Sequence, residues 1–224
     1  MDDLIKSLFK QIEKAFNQSD IKDYAEKHGK KWFYYLSSTR LTKNTTVIVG
    51  FNGGAKEGFP YEPLMYVHDV TFGDLFRKGD ELGSLSRIYN RLKSHLKDED
   101  VDSFVQINFC FFRSDSESKI SKKDVELCVP IFEQLMSHLK PRRIIGFSAR
   151  LRDYILNNKM HSQLDTKNIE SNNKTVYVVK GQIKFTDISI PFCILPHPNY
   201  HITSKARNEA WEFCFPDIQK ERKK

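Results

Sequence analysis

Residues 45–50, TTVIVG, run directly into FNGGAKEG at residues 51–58. The first stretch is β-branched and apolar, as in a buried strand, and the second has the glycines and polar residues of a loop. Similar apolar runs recur as FVQINF (104–109), RRIIGF (142–147), TVYVVK (175–180) and PFCILP (191–196). Because segments with helical periodicity separate the first three runs, the pattern predicts a largely parallel sheet.

Other parts of the chain have the periodicity of amphipathic helices. Residues 3–16 place apolar side chains at near-helical spacing, and a second helical stretch is predicted to continue to about Leu36. A further helix is predicted to begin near Ser121, a favourable N-cap residue, and to end before Pro141. The polar, unperiodic stretch at 157–174 is interpreted as an exposed loop.

These elements predict an α/β protein, a three-layer α/β/α sandwich with a central, mostly parallel sheet of four to five strands. The chain has no internal repeat and no linker rich in proline or glycine, which favours a single domain over residues 1–224. Within this domain, residues 1–40 are predicted to form N-terminal helices and residues 216–224 a basic tail.

The composition limits the class of protein. Apolar residues make up 39% of the 224 residues and charged residues 29%, which is typical of a polar globular protein. No apolar run reaches the length of a membrane span, and the N-terminus lacks the pattern of a signal peptide, so we expect an intracellular protein. The net charge of +7 favours an acidic partner such as nucleic acid.

The cysteines are widely spaced, form no Cys-x-x-Cys pair and lie mostly in apolar surroundings, so we interpret them as reduced thiols of the core. They are Cys110, Cys128, Cys193 and Cys214. No metal site is predicted. His197 and His201 are close enough in sequence to act together as ligands, but Pro198 disfavours a helix that presents both, and no acidic pattern completes a site.

Three predicted strand ends carry polar side chains suited to ligand binding. GFNGG at 50–54 contains Asn52, INFCFFR at 107–113 contains Asn108 and Arg113, and LPHPNYH at 195–201 contains His197 and His201. In open α/β sheets, reactive groups gather at the carboxyl ends of the strands. An amide offers a donor and an acceptor, and a histidine can support a developing anion, so the set suits a planar, hydrogen-bonding ligand.

These motifs, within residues 45–214, resemble those of the uracil-DNA glycosylase superfamily. GFNGG is similar to the family's Gly-x-(Asp/Asn/Glu)-Pro-Gly-like loop, INFC to the strand that ends in a base-reading asparagine, and LPHPNYH to the final His-Pro-Ser-like loop. The layout of residues 107–151, from strand through polar loop and long helix to the next strand, is also similar. The asparagine of the first motif is closest to the single-strand-selective monofunctional and mismatch-specific branches, whereas the cysteine ligands of the iron–sulfur branches are missing.

The resemblance implies a monofunctional DNA glycosylase of base excision repair, which hydrolyses the N-glycosidic bond of uracil or a related damaged base. Such enzymes flip the nucleotide out of the stack, and the bond breaks through an oxocarbenium-like sugar and a departing base anion. By this resemblance Asn52 would position the attacking water, His197 would stabilise the anion at O2, and Asn108 would pair with N3–H and O4. The implied partner is single- or double-stranded DNA, and the protein would be a monomer without cofactor or metal.

The resemblance also implies contacts around the base and along the DNA. Phe59 is expected to stack on the base. Tyr61 and Phe72 are alternatives, since the insertion YEPLMYVHDVTFGD at 61–74 leaves the choice among these aromatic residues open. The implied substrate-binding residues are Gly50, Phe51, Gly53, Gly54, Phe59 and Asn108. The implied DNA-binding residues are Pro198, Asn199, Tyr200, His201, Lys205 and Arg113.

Two departures from the family pattern affect the expected chemistry. Gly53 replaces the usual proline, which makes the backbone beside Asn52 more flexible. Asn199 and Tyr200 stand where Ser-Pro is usual, so the loop that would contact the phosphate backbone works differently. These departures leave open a non-catalytic nucleic-acid-binding member of the superfamily, and a third class remains, an unrelated α/β enzyme or interaction module.

Each motif residue also has a purely structural interpretation. Asn52 lies in a glycine-rich stretch, where asparagine tolerates left-handed backbone, Asn108 could cap a loop, and His197 could be a surface turn residue between prolines. The catalytic interpretation makes a stronger demand, because it places all three side chains at one cleft on the carboxyl edge of the sheet.

Overall fold

The structure, a computed structural model, describes residues 3–54, 62–77, 84–96 and 99–216. The α-helices are α1 Asp3–Asn17, α2 Asp20–Lys27, α3 Phe72–Arg77, α4 Ser84–His95, α5 Lys122–Leu139, α6 Ala149–Asn157 and α7 Ser204–Cys214. The strands are β1 Tyr35–Ser37, β2 Thr46–Gly50, β3 Gly53–Gly54, β4 Leu64–Tyr66, β5 Val105–Asn108, β6 Arg113–Ser114, β7 Arg143–Gly146, β8 His161–Ser171, β9 Lys174–Lys184 and β10 Ser189–Ile194. The predicted tail lies almost wholly outside the described residues.

The central sheet has six strands in the order β5-β2-β7-β10-β9-β8. The first four run parallel to one another, and β9 and β8 continue the sheet antiparallel. This confirms the predicted α/β class and the mostly parallel central sheet, and adds one strand to the predicted number. Two small parallel pairs, β1 with β4 and β3 with β6, lie outside the central sheet.

Side chains alternate between the two faces of the sheet, and each face is covered by helices. Val47, Val49 and Ile144 belong to the core shared with α1, α2, α5 and α6. Ile48 and Ile145 belong to a second core shared with α3, α4 and α7. The chain therefore forms the predicted three-layer sandwich. Burial on both faces also explains why β2 and β7 have apolar residues at consecutive positions.

The loop predicted for residues 157–174 is wrong, because β8 fills most of it. β8 and β9 form a hairpin whose two-residue turn is Asn172 and Asn173, both with positive φ, of 49° and 59°. Asparagine is favoured in such turns. β8 is the last strand of the sheet and most of its side chains are accessible, so it shows little apolar alternation in sequence and is held mainly by backbone pairing.

The helical stretch predicted to continue to Leu36 is also wrong. α1 ends at Asn17, and Ser19 caps a separate short helix, α2, that ends at Lys27. Gly29 then adopts a positive φ of 61°, which ends the helical conformation. The chain continues into β1, where Tyr35 and Leu36 are buried.

The N-terminus of α5 is fixed by a capping box, as the sequence predicts from Ser121. The Ser121 hydroxyl accepts from Asp124 N–H at 3.1 Å, and the Asp124 carboxylate accepts from Ser121 N–H at 2.8 Å. The same carboxylate accepts from Ile21 N–H of α2 at 3.2 Å. Asp124 is fully buried, so one side chain joins two helices in the layer on one face of the sheet.

In the described part of the chain, no helix combines the length and the apolar character needed to span a bilayer. The cysteines are all free thiols, and Cys110, Cys128 and Cys193 are buried, in agreement with their interpretation as core residues.

Asp124→Ala should lower the free energy of unfolding by about 3 kcal/mol, because the buried Ile21 N–H and the partly buried Ser121 N–H lose their acceptor, and a buried donor without a partner costs roughly 1–3 kcal/mol. Asp23→Ala, which removes an exposed carboxylate from α2, should change it by less than about 0.5 kcal/mol. Urea unfolding followed by circular dichroism measures both variants. Equal stability of the two would contradict the role given to Asp124.

Candidate functional site

The four parallel strands end together at one edge of the sheet, here called the carboxyl edge, at Gly50, Asn108, Gly146 and Ile194. Backbone hydrogen bonds continue beyond these ends. Phe109 N–H donates to Gly50 O at 3.0 Å, Phe147 N–H to Val49 O at 3.2 Å, and Leu195 N–H to Gly146 O at 2.8 Å. The starts of the loops that leave this edge are therefore held in fixed positions.

The topology also favours a binding crevice at this edge. In chain order, the parallel strands lie across the sheet as second, first, third and fourth. The chain after β2 passes to α3 and α4 on one face, whereas the chain after β7 passes to α6 on the other. Where neighbouring strands send their connections to opposite faces, a crevice forms outside their carboxyl ends, and ligands of open α/β proteins bind there.

Asn108 lies at the end of β5 beside Gly50 of β2. Its carboxamide lies across Gly50 so closely that a Cβ at that position would collide with the Asn108 Oδ1. The Asn108 Nδ2 donates a hydrogen bond to the Tyr35 hydroxyl. Only 4% of Asn108 is exposed, so the amide is held in one orientation within the protein rather than capping a surface loop.

Tyr35 is buried between Asn108 and Gly53. A Cβ at Gly53 would collide with the Tyr35 ring, so no larger residue fits while this ring keeps its place. Burial raises the pKa of the Tyr35 hydroxyl, and hydrogen bonds from Ser38 and Asn108 and the charge of Arg113 oppose that rise only in part. The hydroxyl therefore stays protonated and available for hydrogen bonding at neutral pH.

Asn52 is held by the chain that follows β5. Its Nδ2 donates to the Ser114 hydroxyl at 2.8 Å and to Gly53 O at 3.2 Å. This engages the amide nitrogen and leaves the Asn52 carbonyl oxygen as the acceptor that the side chain can offer to a water molecule. Asn52 is therefore positioned by the side chain of Ser114, 62 residues away in sequence, and a residue that only forms a turn does not need such a contact.

Arg113 holds the loop rather than facing solvent. It is 5% exposed, and its Nε and Nη2 donate to Gly54 O at 3.0 and 2.8 Å. β3 and β6 also pair here, Gly53 with Arg113 and Gly54 with Ser114. The Arg113 side chain is therefore not exposed for the predicted contact with DNA. Its position beneath the loop suits a structural role.

His197 lies in the segment 195–203, here called the His197 loop, which follows β10. Asn199 N–H donates to His197 Nδ1 at 3.2 Å, so the neutral ring carries its proton on Nε2 and can donate from that atom. Desolvation of the part of the ring that faces the protein lowers the pKa of His197, and the charge of Arg207 lowers it further. The neutral imidazole is accordingly favoured, although the residue keeps exposed surface.

The structure places most of the predicted site residues in two groups at the carboxyl edge. One group contains Gly50, Phe51, Asn52, Gly53, Gly54, Asn108 and Arg113. The other is the His197 loop with Pro198, Asn199, Tyr200 and His201, followed by Lys205 on α7. β7 alone separates β2, which leads to Asn52, from β10, which leads to the His197 loop, so these two strands are about 10 Å apart, and β5, which carries Asn108, lies one strand spacing further from β10.

The aromatic residues proposed to stack on a base have different outcomes. Phe59 and its alternative Tyr61 lie outside the described residues. Phe72, the other alternative, is completely buried and packs edge-on against Phe76 and Tyr89, with ring centroids 5.3 and 5.7 Å away. Phe72 is therefore a core residue, and its use as a stacking surface is wrong.

Several residues at this edge are not predicted from the sequence. Tyr35 lay in a stretch assigned to helix, and Ser114 lies in a polar run without a motif. Glu117 accepts from the Ser148 hydroxyl at 3.3 Å, and burial of the carboxyl raises its pKa against the opposing effects of Ser148 and Arg150. Ser148 had a recognisable signal, since it caps α6 directly after a predicted strand.

No protein-family model matches the chain, and no curated protein sequence matches it significantly. Within the part of the chain that the structure describes, no three histidine, cysteine, aspartate or glutamate side chains are grouped so that they could hold a metal ion.

Arg207→Gln should raise the pKa of His197, because the variant removes the positive charge that adds to the effect of burial. Burial remains, so the value should stay below 6.5, the usual value for histidine. Lys205→Gln removes the same charge from an exposed position on the same helix and should leave the His197 pKa nearly unchanged. NMR titration of the His197 Cε1–H signal in both variants tests this, and identical titration curves would contradict the coupling to Arg207.

Proposed function

We propose that the protein is a DNA glycosylase that hydrolyses the N-glycosidic bond of uracil or a related damaged base. One observation carries the proposal. The Asn108 amide is buried across Gly50 and fixed by Tyr35, next to a loop that holds Asn52, at the edge where His197 also lies. Asn108 of the second motif is held in place by Tyr35, 73 residues away in sequence. Base recognition requires such a fixed amide, whereas an asparagine that only caps a loop does not.

Asn108 would read the edge of the base. Its Oδ1 would accept from uracil N3–H, and its Nδ2, which has two N–H groups, would donate one to O4 and keep the other for Tyr35. Cytosine presents the opposite pattern at these two atoms, so the fixed amide would disfavour it. A buried polar group left unpaired costs roughly 1–3 kcal/mol, and this cost is the source of the discrimination.

His197 would stabilise the base as it departs. Negative charge grows on the leaving base while the sugar becomes oxocarbenium-like. The Nε2–H of neutral His197 would donate to O2 of the departing anion, and the Asn199 N–H on Nδ1 keeps the ring in that tautomer. A protonated ring would direct its Nδ1–H against the Asn199 N–H, so the neutral form is the one suited to this loop.

Asn52 would position the attacking water through its carbonyl oxygen. An amide cannot take a proton as a carboxylate does, so the water would lose its proton only after most of the glycosidic bond has broken, and the departed base anion would take that proton up through the solvent. Stabilisation of the leaving base would then supply the larger share of the rate acceleration. The enzyme would need no metal or cofactor for this route, and its partner would be DNA held by the basic surface.

Glycine at position 53 is explained by the neighbouring Tyr35 ring. The family's proline would not fit at this position, since even a Cβ at Gly53 would collide with the Tyr35 ring. The glycine and the tyrosine thus form a matched pair in this chain, and the tyrosine replaces the lost stiffness by filling the space next to the loop.

A second candidate, a non-catalytic nucleic-acid-binding member of the same superfamily, is favoured by one observation. Asn108 is only 4% exposed, and an amide that only supports Gly50 and Tyr35 would be buried in the same way. Such a protein would bind DNA through the same edge without excising a base.

Asn52→Ala and His197→Ala should each lower single-turnover excision of uracil from DNA by about 100-fold or more, the usual loss on removing one electrostatic stabiliser. DNA affinity should change little, because both residues act mainly in the transition state. Arg142→Gln, an exposed change at the opposite edge of the sheet, serves as the control. Excision at the wild-type rate by both alanine variants would contradict the assignment of Asn52 and His197. A wild-type protein that binds DNA but excises no base would support the second candidate.

Asn108→Asp should alter the choice of base more than the affinity for DNA. The carboxylate cannot donate to uracil O4, so the ratio of uracil to cytosine excision should fall by at least about tenfold, equivalent to roughly 1.4 kcal/mol. Single-turnover rates on matched oligonucleotides carrying each base give the ratio. An unchanged ratio would show that Asn108 does not read the base.

A further inference from the structure

A surface cavity lies beside the His197 loop, between α4, α7 and the chain that follows β7 and β10. Its volume is about 330 Å³, within the range of small-molecule sites. Its apolar wall consists of Ile88, Phe147, Pro196, Pro198 and Trp211. None of Asn52, Asn108 and His197 lines this cavity, so it is separate from the proposed catalytic residues.

Three arginines, Arg87, Arg91 and Arg207, line the same cavity. Among residues 3–54, 62–77, 84–96 and 99–216 no acidic side chain lines the cavity, and no carboxylate forms an ion pair with any of the three guanidinium groups. Desolvation lowers the pKa of Arg207, and the charges of Arg91 and Arg87 lower it further. The three cations therefore repel one another and lack a counter-charge from the described chain.

The existing hydrogen bonds of these arginines go to neutral oxygens. Arg87 donates to Asn199 Oδ1 at 2.9 Å, Arg91 to Asn208 Oδ1 at 3.1 Å, and Arg207 to Tyr200 O at 2.7 Å and His197 O at 3.3 Å. A guanidinium group has five N–H donors, so each arginine keeps donors for a further acceptor. Planar, multiply bonded recognition of this kind is what arginine provides for phosphate groups.

We propose that the cavity binds the phosphate group of a nucleotide between Arg87, Arg91 and Arg207, with the sugar or base against the more accessible part of its apolar wall, Pro196 and Pro198. A phosphate group offers two negative charges as a monoester or one as a diester, and several oxygens, which suits three converging cations better than a single carboxylate does. The same chemistry could come from a free nucleotide or from a phosphate of a DNA strand. The inference does not depend on base excision, because it rests on the cavity and its charges.

The simpler alternative is that these arginines only brace the His197 loop. Arg87 and Arg207 do contact that loop, through Asn199, Tyr200 and His197. Arg91 does not, since its bond goes to Asn208 on α7. Arg91 is therefore the residue whose replacement separates ligand binding from loop support.

The first experiment compares thymidine monophosphate with thymidine by isothermal titration calorimetry on the full chain. Thymine avoids confusion with uracil recognition, and the nucleoside lacks only the phosphate. The nucleotide should bind at least about tenfold more tightly than the nucleoside. Arg91→Gln should weaken nucleotide binding by at least about tenfold, while Arg142→Gln, which removes the same charge at the opposite edge of the sheet, should change it less than twofold.

The second experiment identifies the source of the phosphate. A fluorescent single-stranded thymine oligonucleotide is bound to the protein and titrated with thymidine monophosphate. Competitive displacement, together with weaker oligonucleotide binding in Arg91→Gln, assigns the cavity to a DNA phosphate. Nucleotide binding without displacement assigns it to a free nucleotide, and both results support the phosphate site.

The inference is overturned if neither the nucleotide nor the oligonucleotide binds more weakly to Arg91→Gln than to Arg142→Gln. It is equally overturned if the wild-type protein binds neither ligand. The comparison of thymidine monophosphate with thymidine in Arg91→Gln and Arg142→Gln involves neither DNA nor excision, so its result is independent of the glycosylase assignment.

Discussion

The hydrogen bond from the Asn108 amide to the Tyr35 hydroxyl is the contact on which the candidate site depends. It fixes the orientation of an amide that lies across Gly50, and the ring of the same tyrosine fills the space that a side chain at position 53 would need. Both positions must therefore be glycine while this arrangement persists. The loop with Asn52, the end of β5 and the strand β1 are adjusted to one another around this bond.

Electrostatics divide the carboxyl edge into two regions. Around Asn52 and Asn108 the side chains that would face a ligand are neutral amides and hydroxyls, and the guanidinium group of Arg113 is engaged by Gly54 O beneath the loop. Around the His197 loop the surroundings are strongly positive, and Arg207 helps to keep His197 neutral. In the proposed function, the neutral donor of His197 would stabilise the departing anion, and the nearby cations would attract the negatively charged DNA backbone.

Much of the architecture could be predicted because the local signals agree with the tertiary structure. Most residues of β2, β5, β7 and β10 are buried, in agreement with the short apolar runs in their sequences, and Ser121 caps α5 as its sequence indicates. The prediction failed for β8, whose polar residues pair through the backbone at the end of the sheet. It also failed for β1, where Gly29 ends the helical conformation before Tyr35. Asn108 could be singled out from its motif, but Tyr35 is 73 residues away in sequence, and no local pattern links the two.

Tyr35→Phe tests the central claim most directly, because it removes one hydroxyl and keeps the ring that fills the space beside Gly53. If the Tyr35 hydroxyl holds the Asn108 amide for base recognition, single-turnover excision of uracil should fall by about tenfold, a loss of roughly 1.4 kcal/mol in transition-state stabilisation. DNA affinity should stay within about twofold, since the hydroxyl is buried away from the surface. Excision at the wild-type rate by a folded Tyr35→Phe protein would contradict the account.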